Sequence, residues 1–372
     1  MNAYDEWLEA QVLQREDAGL TRRLSSFDPS TAIDLAGNDY LGLARHPEVI
    51  EGAIRATRSF GAGAGASRLV TGTLELHDEL ERALATFTGS ETGLVFSTGY
   101  HANLSVLSAL VDTDTLVVSD AHVHASMIDG CRLARAQVQV APHGEVATFE
   151  ALLANRSQKR ALVLTESIFS VLGDATPLLD LLAVCERTDA LLVVDEAHGL
   201  GVAGRKGAGL APHLGVAGHP NLLITGTLSK SFGAQGGVVL GSRAIREQIV
   251  NRARPFIYDT GLAPAAAGAA LTALAIIQRE PERVARVNEV ARVLSDTCGV
   301  PHPAGAVLAV PMPSPQAAVA AVEKAASHGV RIGCFRPPST PDGISRLRLT
   351  AHADLSDDTL AQATRVLREI AR

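Results

Sequence analysis

Aromatic residues are scarce in this 372-residue chain, at 4% of the sequence. Ala, Val and Leu must therefore do most of the packing. Hydrophobic residues reach 47% against 20% charged, a balance that builds a large core and argues against disorder. Basic residues are also short, because 33 Lys and Arg against 40 Asp and Glu leave a net charge of −7. No basic stripe is available to displace counterions from a nucleic acid, and the mild acidic excess is read as a solubility feature. The four cysteines, Cys131, Cys185, Cys298 and Cys334, form no CxxC pair. That pattern speaks for buried thiols in a reducing cytoplasm, against a disulfide framework and against a zinc site.

Long apolar runs are missing as well. The opening MNAYDEWLEAQ has no apolar core of a signal peptide. The longest small-apolar stretch, Leu262 to Ile277, is shorter than the ~20 residues of a membrane span and carries Pro264 near its start. It reads as an Ala-rich buried helix. No unit of roughly 20–50 residues repeats, which excludes a solenoid.

What the chain does contain is a succession of short apolar runs. Residues 5–24 read as a helix, followed by a turn-rich stretch with Pro29 and the run Ile33-Asp34-Leu35. From about residue 74, Leu76, Leu80, Leu84 and Phe87 fall at helical spacing. Seven strand-like runs follow at 94–97, 116–119, 138–140, 161–165, 191–195, 222–225 and 238–240. Helix-length segments such as 102–111 and 178–187 separate several of them. Runs apolar on both faces and alternating with helices predict an α/β fold with a mostly parallel seven-stranded sheet, covered on both sides. Ligands of such sheets bind beyond the carboxyl ends of the strands. Past residue 262 come an Ala-rich helix, a Pro/Gly-punctuated stretch (301–313), a second Ala-rich helix and Arg346-Leu-Arg348-Leu-Thr350. These predict a smaller α+β domain. The expected division is an N-terminal helix and extension over 1–45, a large domain over 46–262 and a C-terminal domain over 263–372, in keeping with about two domains for this length.

Two segments after such runs carry chemistry. In Leu191-Leu-Val-Val-Asp195-Glu-Ala-His198-Gly, an acid ends a buried strand and needs a cationic partner. Asp-Glu-Ala-His is also the box of a helicase ATPase, but that reading requires a GxxxxGK[ST] loop. The nearest candidate, Gly226-Thr-Leu-Ser-Lys230-Ser231, has Ser229 in the glycine position. In Thr225-Gly-Thr227-Leu-Ser-Lys230-Ser-Phe-Gly233, a lysine among small residues follows directly after an apolar strand, a placement suited to imine chemistry. Asp195 and Lys230 stand 35 positions apart at the ends of two successive strands. Pyridoxal phosphate needs this combination, a lysine for covalent attachment and a carboxylate for the ring nitrogen. His122 and His124 lack a nearby third ligand, so no metal site is expected. Gly61-Ala-Gly63-Ala-Gly65 lacks GxGxxG spacing, which argues against a dinucleotide.

With these segments, Asn38-Asp-Tyr-Leu-Gly-Leu43, Ser97-Thr-Gly-Tyr-His-Ala-Asn103 and Asp120-Ala-His-Val-His124-Ala-Ser126 complete a set over about residues 34–350. The chain resembles the α-oxoamine synthases, a branch of the fold-type I pyridoxal-phosphate (PLP) enzymes. The resemblance implies a transferase that joins an amino acid to an acyl thioester with loss of carbon dioxide. Lys230 would hold the cofactor, His124 would stack on its ring, and Asp195 would meet the ring nitrogen. His198 and Ser170 would reach its phenolic oxygen, and Gly99, Tyr100 and Thr227 its phosphate, with Thr260 reaching in from the other subunit of a homodimer with shared active sites. Asn38, Arg348 and Arg22 would bind substrate, Arg348 at the amino-acid carboxylate and Arg22 at the far end of the acyl chain. Residues 61–72 would form a flexible substrate loop. The segment Cys334-Phe-Arg336-Pro-Pro338-Ser-Thr-Pro341, with Arg346 to Thr350, is most similar to family members that use L-alanine and a pimeloyl thioester, carried by coenzyme A or by a carrier protein. Val171 and Leu172 depart from the family's usual Met and Asp, on the acyl-chain side. Glycine-using relatives of the 2-amino-3-ketobutyrate ligase or 5-aminolevulinate synthase type are the alternative. A non-catalytic PLP-fold binding protein is a remoter one.

Overall fold

The computed structural model describes residues 2–370, apart from 18–20, 22, 23, 25, 27, 29, 30, 338, 339 and 341. Eleven strands among the described residues form two sheets. The larger sheet contains β2 (Thr92–Phe96), β3 (Thr115–Asp120), β4 (Gln137–Ala141), β5 (Arg160–Glu166), β6 (Leu191–Asp195), β7 (Leu222–Thr227) and β8 (Gly237–Gly241). Their order is β2-β8-β7-β6-β5-β3-β4, and only β8 runs antiparallel to its neighbours. The parallel strands β3, β5, β6 and β7 are buried almost throughout, as expected for strands covered by helices on both faces. Their carboxyl ends, together with that of β2, lie along one edge of the sheet.

The smaller sheet is formed by β1 (Ile33–Leu35), β9 (Val307–Pro311), β10 (Val330–Phe335) and β11 (Arg346–Thr350), in the order β1-β10-β11-β9. β1 pairs in parallel with β10, Ile33 opposite Val330. The N-terminal strand is thus built into the C-terminal sheet, and the chain after it is carried straight to the edge where the site lies.

Several expectations shift. The first helix is described over Ala3–Asp17, and Thr21 and Leu24, expected within it, are not helical. The run at 138–140 is an edge strand rather than a buried one. Val138 and Val140 are 41% and 62% exposed because β4 has a neighbour on one side alone. The helix Pro281–Cys298 was not foreseen. Pro281 reads as punctuation but occupies the first helical turn, where its missing N–H has no cost.

The scarcity of aromatics shows in the packing. Helix Pro264–Arg279 lies so close to helix Pro47–Phe60 that a Cβ on Gly268 would stand 2.5 Å from the Cβ of Ala56. Small residues let two backbones approach and gain contact without bulky side chains.

A buried ion pair fixes the end of the glycine-rich segment. Arg68 Nη1 donates to Glu81 Oε1 at 2.9 Å, and Glu81 also accepts from the Val95 amide and from Arg246. Arg68 and Glu81 are 7% and 4% exposed, so residues 67–72 are anchored, whereas Gly61, Gly63 and Gly65 face open space. Glu81→Ala strands the Arg68 charge in a low dielectric and should cost about 3–5 kcal/mol in urea unfolding. A loss below about 1 kcal/mol would mean that water reaches Arg68 in the folded chain.

Candidate active site

The strand register sets three polar side chains side by side. Glu166 pairs with Asp195, and Asp195 pairs with Thr225, at the carboxyl ends of β5, β6 and β7. Beyond them opens a cavity of about 250 Å³ lined by Thr98, Gly99, Tyr100, Asn103, His124, Ser126, Glu166, Asp195, Ala197, His198, Gly226, Thr227, Ser229 and Lys230. Lys230 leaves the turn after β7, and its Nζ lies 2.9 Å from His198 Nε2. Burial pushes the Lys230 ammonium below the usual lysine range, against the pull of Asp195 and Glu166. Burial likewise holds His198 uncharged, assisted by the nearby Lys230 and Arg348 cations.

Asp195 is 5% exposed and held from two sides. Its Oδ1 accepts from the Ala197 amide at 2.9 Å, and its Oδ2 accepts from Asn103 Nδ2 at 2.7 Å. Asn103 spends its other amide proton on Ser126 Oγ at 2.9 Å, and Ser126 Oγ lies 2.8 Å from His124 Nδ1. That nitrogen also accepts from the Ser126 amide, so the imidazole plane is fixed as the helix cap of Ala125–Ala134. His124 is kept neutral by burial.

Across the cavity, Thr98 caps helix Gly99–Leu110 by accepting from the His101 amide at 3.1 Å. The first amides of that helix have no intrahelical partner and point at the cavity with the positive end of the helix dipole, the standard setting for a phosphate. A Cβ on Gly99 would come within 3.0 Å of the Thr227 Cβ, so the cradle needs bare backbone there.

Arg348 comes from the small sheet. It is 5% exposed, with Nε donating to the Ser170 carbonyl at 2.7 Å and Nη2 to Asn38 Oδ1 at 3.1 Å. Asn38 Oδ1 also accepts from the Tyr40 hydroxyl at 3.0 Å. A second cavity of about 270 Å³ shares His124 with the first, with walls that include Ile128, Phe169, Val171, Leu172 and Phe335.

Lys230, Asp195, His198, His124, Gly99, Tyr100 and Thr227 thus converge on one cavity, with Asn38 and Arg348 bonded to each other beside it. Ser170 lines the second cavity, where its backbone serves Glu166 and Arg348. Thr260 does not join them. It is exposed, bridged to Ser67, and lines no part of its own chain's cavity. Arg22 lies outside the described residues.

Sequence reasoning missed Glu166, Asn103 and Tyr40. Glu166 ends β5 as Asp195 ends β6, so the signal that marked one acid was present for the other. Burial and the Asp195 charge push its carboxyl well above the usual range. His122 is no partner for His124. It stacks on His143 at 4.2 Å, and His143 bridges Asp120 at 3.0 Å and Asp174 at 2.9 Å. Among the described residues, His46, Glu48 and Glu280 are grouped closely enough for a metal, but Arg279 and Arg283 already occupy both carboxylates.

Two buried polar atoms without a partner among the described residues, Asn103 Oδ1 and Glu166 Oε1, belong to residues lining the first cavity. A lysine, a fixed carboxylate, a flat imidazole wall and a helix start with free amides match the attachment point, ring nitrogen, ring face and phosphate of PLP. The donor set fits that group.

Known proteins agree with the geometry. The sequence pattern of aminotransferase class I and II matches residues 30–367. A protein of Mycolicibacterium gilvum named 8-amino-7-oxononanoate synthase is 52% identical over 98% of this chain and 96% of its own length. One of the same name from Mycobacterium marinum is 53% identical over 98% and 94%. The chain belongs to the 8-amino-7-oxononanoate synthase family. It has the fold-type I architecture of the PLP-dependent aminotransferases. The solved 8-amino-7-oxononanoate synthase of Francisella tularensis superposes with a TM-score of 0.79 at 25% identity, over 91% of this chain and 98% of that one. Serine palmitoyltransferase from S. paucimobilis, solved with a bound PLP–myriocin aldimine, superposes at 0.91 and 28% identity, over 100% and 98%. Among the described residues no helix is long and apolar enough to cross a membrane.

The loop after β5 supplies Ser170, Val171 and Leu172 to the second cavity, and the His143 bridge ties it to the end of β3. Asp120 and Asp174 push the His143 imidazolium from its ordinary 6.5 up to about 10. A raised pKa means that the bridge's stabilisation is complete below about 6.5 and is lost as the pH climbs through about 10. In thermal melts from pH 6 to 10.5, His143→Gln should lack the part of the native chain's decline that this titration causes. Parallel declines in the two proteins would remove His143 from the linkage.

Proposed function

We propose that the chain is a PLP-dependent acyltransferase that condenses L-alanine with a pimeloyl thioester, giving 8-amino-7-oxononanoate, carbon dioxide and a free thiol in biotin biosynthesis. The observation that carries this reading is Lys230 at the cavity opposite the clamped Asp195, in a chain 52% identical to proteins of that name.

Lys230 would hold PLP, Asp195 would keep its ring nitrogen protonated, and His124 and the Thr98–Tyr100 helix start would receive its face and phosphate. The bound cofactor supplies an electron sink for negative charge developing at the amino-acid Cα. The protein's own residues supply everything else. Burial lowers the affinity of Lys230 for its proton, so the free amine can take the proton from Cα and later return one. Arg348, with two donors already fixed by Ser170 and Asn38, presents its remaining N–H groups to the substrate carboxylate. His198 orients Lys230 through Nε2. The second cavity, with Phe169, Val171, Leu172 and Phe335 in its wall, suits an acyl chain.

Two features support a homodimer with shared sites. Thr260 is exposed outside its own cavity. Helix Ala3–Asp17 buries none of its residues and leaves Tyr4, Trp7, Leu8, Val12 and Leu13 exposed. An isolated helix of that length is marginal in water, so a partner surface is its natural cover.

Purified protein with PLP, pimeloyl-CoA or a pimeloyl carrier protein, and alanine or glycine, is tested by mass spectrometry. The expected product is 8-amino-7-oxononanoate from alanine alone. Product from glycine and a shorter thioester would keep the reaction class and remove the substrate assignment. Lys230→Ala should lose the visible absorbance of covalently held PLP, and retention of that band would place the attachment elsewhere. Arg348→Lys removes the guanidinium fork and should raise the KM for alanine about tenfold or more. An unchanged KM would assign the carboxylate to another group.

A further inference from the structure

Asp259 stands beside Thr260, half-buried, and takes no part in the chemistry above. Its Oδ2 accepts from the Ser97 hydroxyl and lies 3.1 Å from His101 Nδ1. Ser97 Oγ and that same nitrogen are 2.6 Å apart. A carboxylate only accepts, so Ser97 spends its one proton on Asp259, and the imidazole has to donate from Nδ1. The serine and the histidine thus both turn to one carboxylate oxygen. Ser97 directly follows β2, and His101 is the third residue of helix Gly99–Leu110. Between them lie Thr98, Gly99 and Tyr100, which line the first cavity where the helix leaves its first amides free. One carboxylate therefore grips both flanks of the phosphate cradle.

The chain after Asp259 is itself tied down. Thr260 is bridged to Ser67, the Gly261 amide donates to the Ala66 carbonyl at 3.0 Å, and the Leu262 carbonyl lies 2.7 Å from His77 Nε2. His77 accepts the Leu74 amide through Nδ1 at 3.2 Å, so its Nε2 carries the proton given to Leu262. Asp259 carries that anchorage across to the cradle.

We propose that Asp259 is a positioning residue for the cofactor phosphate, holding the Thr98–Tyr100 amides in place by fastening Ser97 and His101 to the anchored Thr260–Leu262 segment. Asp259, Ser97 and His101 line no part of the cavity themselves, so the effect passes through the helix start. Free amides at a helix start serve an anion. Loss of the grip is therefore felt by a ligand that carries a phosphate and not by one that lacks it.

The first test reads the protein without cofactor. The His101 and Ala102 amides are bonded to Thr98, and Asp259→Ala should speed their hydrogen exchange about tenfold. The second test rests on the reading of Lys230 as the cofactor lysine. PLP and pyridoxal, the same aldehyde without the phosphate, are each titrated against the visible band. Asp259→Ala should bind PLP about tenfold more weakly, the worth of one hydrogen bond, and pyridoxal within about twofold of the native chain. Asp259→Asn keeps an acceptor oxygen and should return the PLP affinity to within about threefold of native. Equal losses for the two ligands would make Asp259 a general stabilising residue and overturn the proposal. Native exchange or native PLP affinity in Asp259→Ala overturns it too, as does an Asn variant as weak as the Ala one. If Asp259→Ala fails to fold, His101→Ala removes one arm of the grip, and the same split between PLP and pyridoxal decides the matter. A native chain that forms no visible band with PLP would sink the cofactor reading and leave the exchange result standing.

Discussion

A carboxylate at the end of a strand buried on both faces is costly unless hydrogen-bond donors are built around it. Asp195 is in that position, and much of the site can be traced to its needs. The Ala197 amide and Asn103 hold one oxygen each, Asn103 is steadied by Ser126, and Ser126 fixes His124. An acid placed at a strand tip thereby dictates the orientation of an imidazole on a different helix. The arrangement is costly if incomplete, since a half-satisfied buried network is worse than an apolar one. The atoms left without partners, Asn103 Oδ1 and Glu166 Oε1, are at the cavity, where a ligand can reach them.

The parallel sheet was legible because strands covered on both faces are apolar at every position, and a sequence shows that directly. Asp195 was legible because it ends such a run, and Lys230 because it follows one by a short turn of small residues. Glu166 gave the same signal after Ala161–Leu164, but no lysine stood a strand away to pair it with, and it passed as a strand terminus. Tyr40 and Asn103 fell inside motifs that marked the resemblance without disclosing their partners. Those partners lie 158 and 92 positions away, and no local pattern encodes a contact of that span. β1 is three residues long, too short for periodicity, and its membership of the C-terminal sheet rests on pairing with Val330–Ile332. The edge position of β4 did leave a mark: Gln137 and Gln139 alternate with Val138 and Val140, where the buried strands are apolar without a break.

The two cavities differ in their apolar lining. The first is lined by hydroxyls, imidazoles, carboxylates and Lys230, while the second adds the apolar side chains of Ile128, Phe169, Val171, Leu172 and Phe335 to a polar rim that includes Asp342 and Arg346. His124 belongs to both walls, so the group that fixes the ring plane also stands at the boundary between them. The His143 bridge acts on the same boundary. It joins Asp120, just before the turn to His124, to Asp174, just after the Ser170–Leu172 segment. A charged imidazole between two carboxylates holds the polar wall and the apolar wall at a set spacing.

The site is built from both sheets. Arg348 lies on β11, opposite Gly333 of β10, and β10 in turn carries β1, after which the chain delivers Asn38 and Tyr40. Lys230, His198 and Asp195 belong instead to the large sheet. The contacts from Arg348 to Asn38, Tyr40, His198 and Lys230 therefore cross from one sheet to the other. The small sheet contributes the arginine, the segment after β1 contributes the tyrosine that contacts the histidine, and the turn after β7 of the large sheet contributes the lysine. A shift of one sheet against the other would lengthen the Tyr40–His198 contact at 2.7 Å before it disturbed either sheet internally. Correct docking of the two sheets and the contacts of Tyr40 with His198 and Asn38 are thus a single condition.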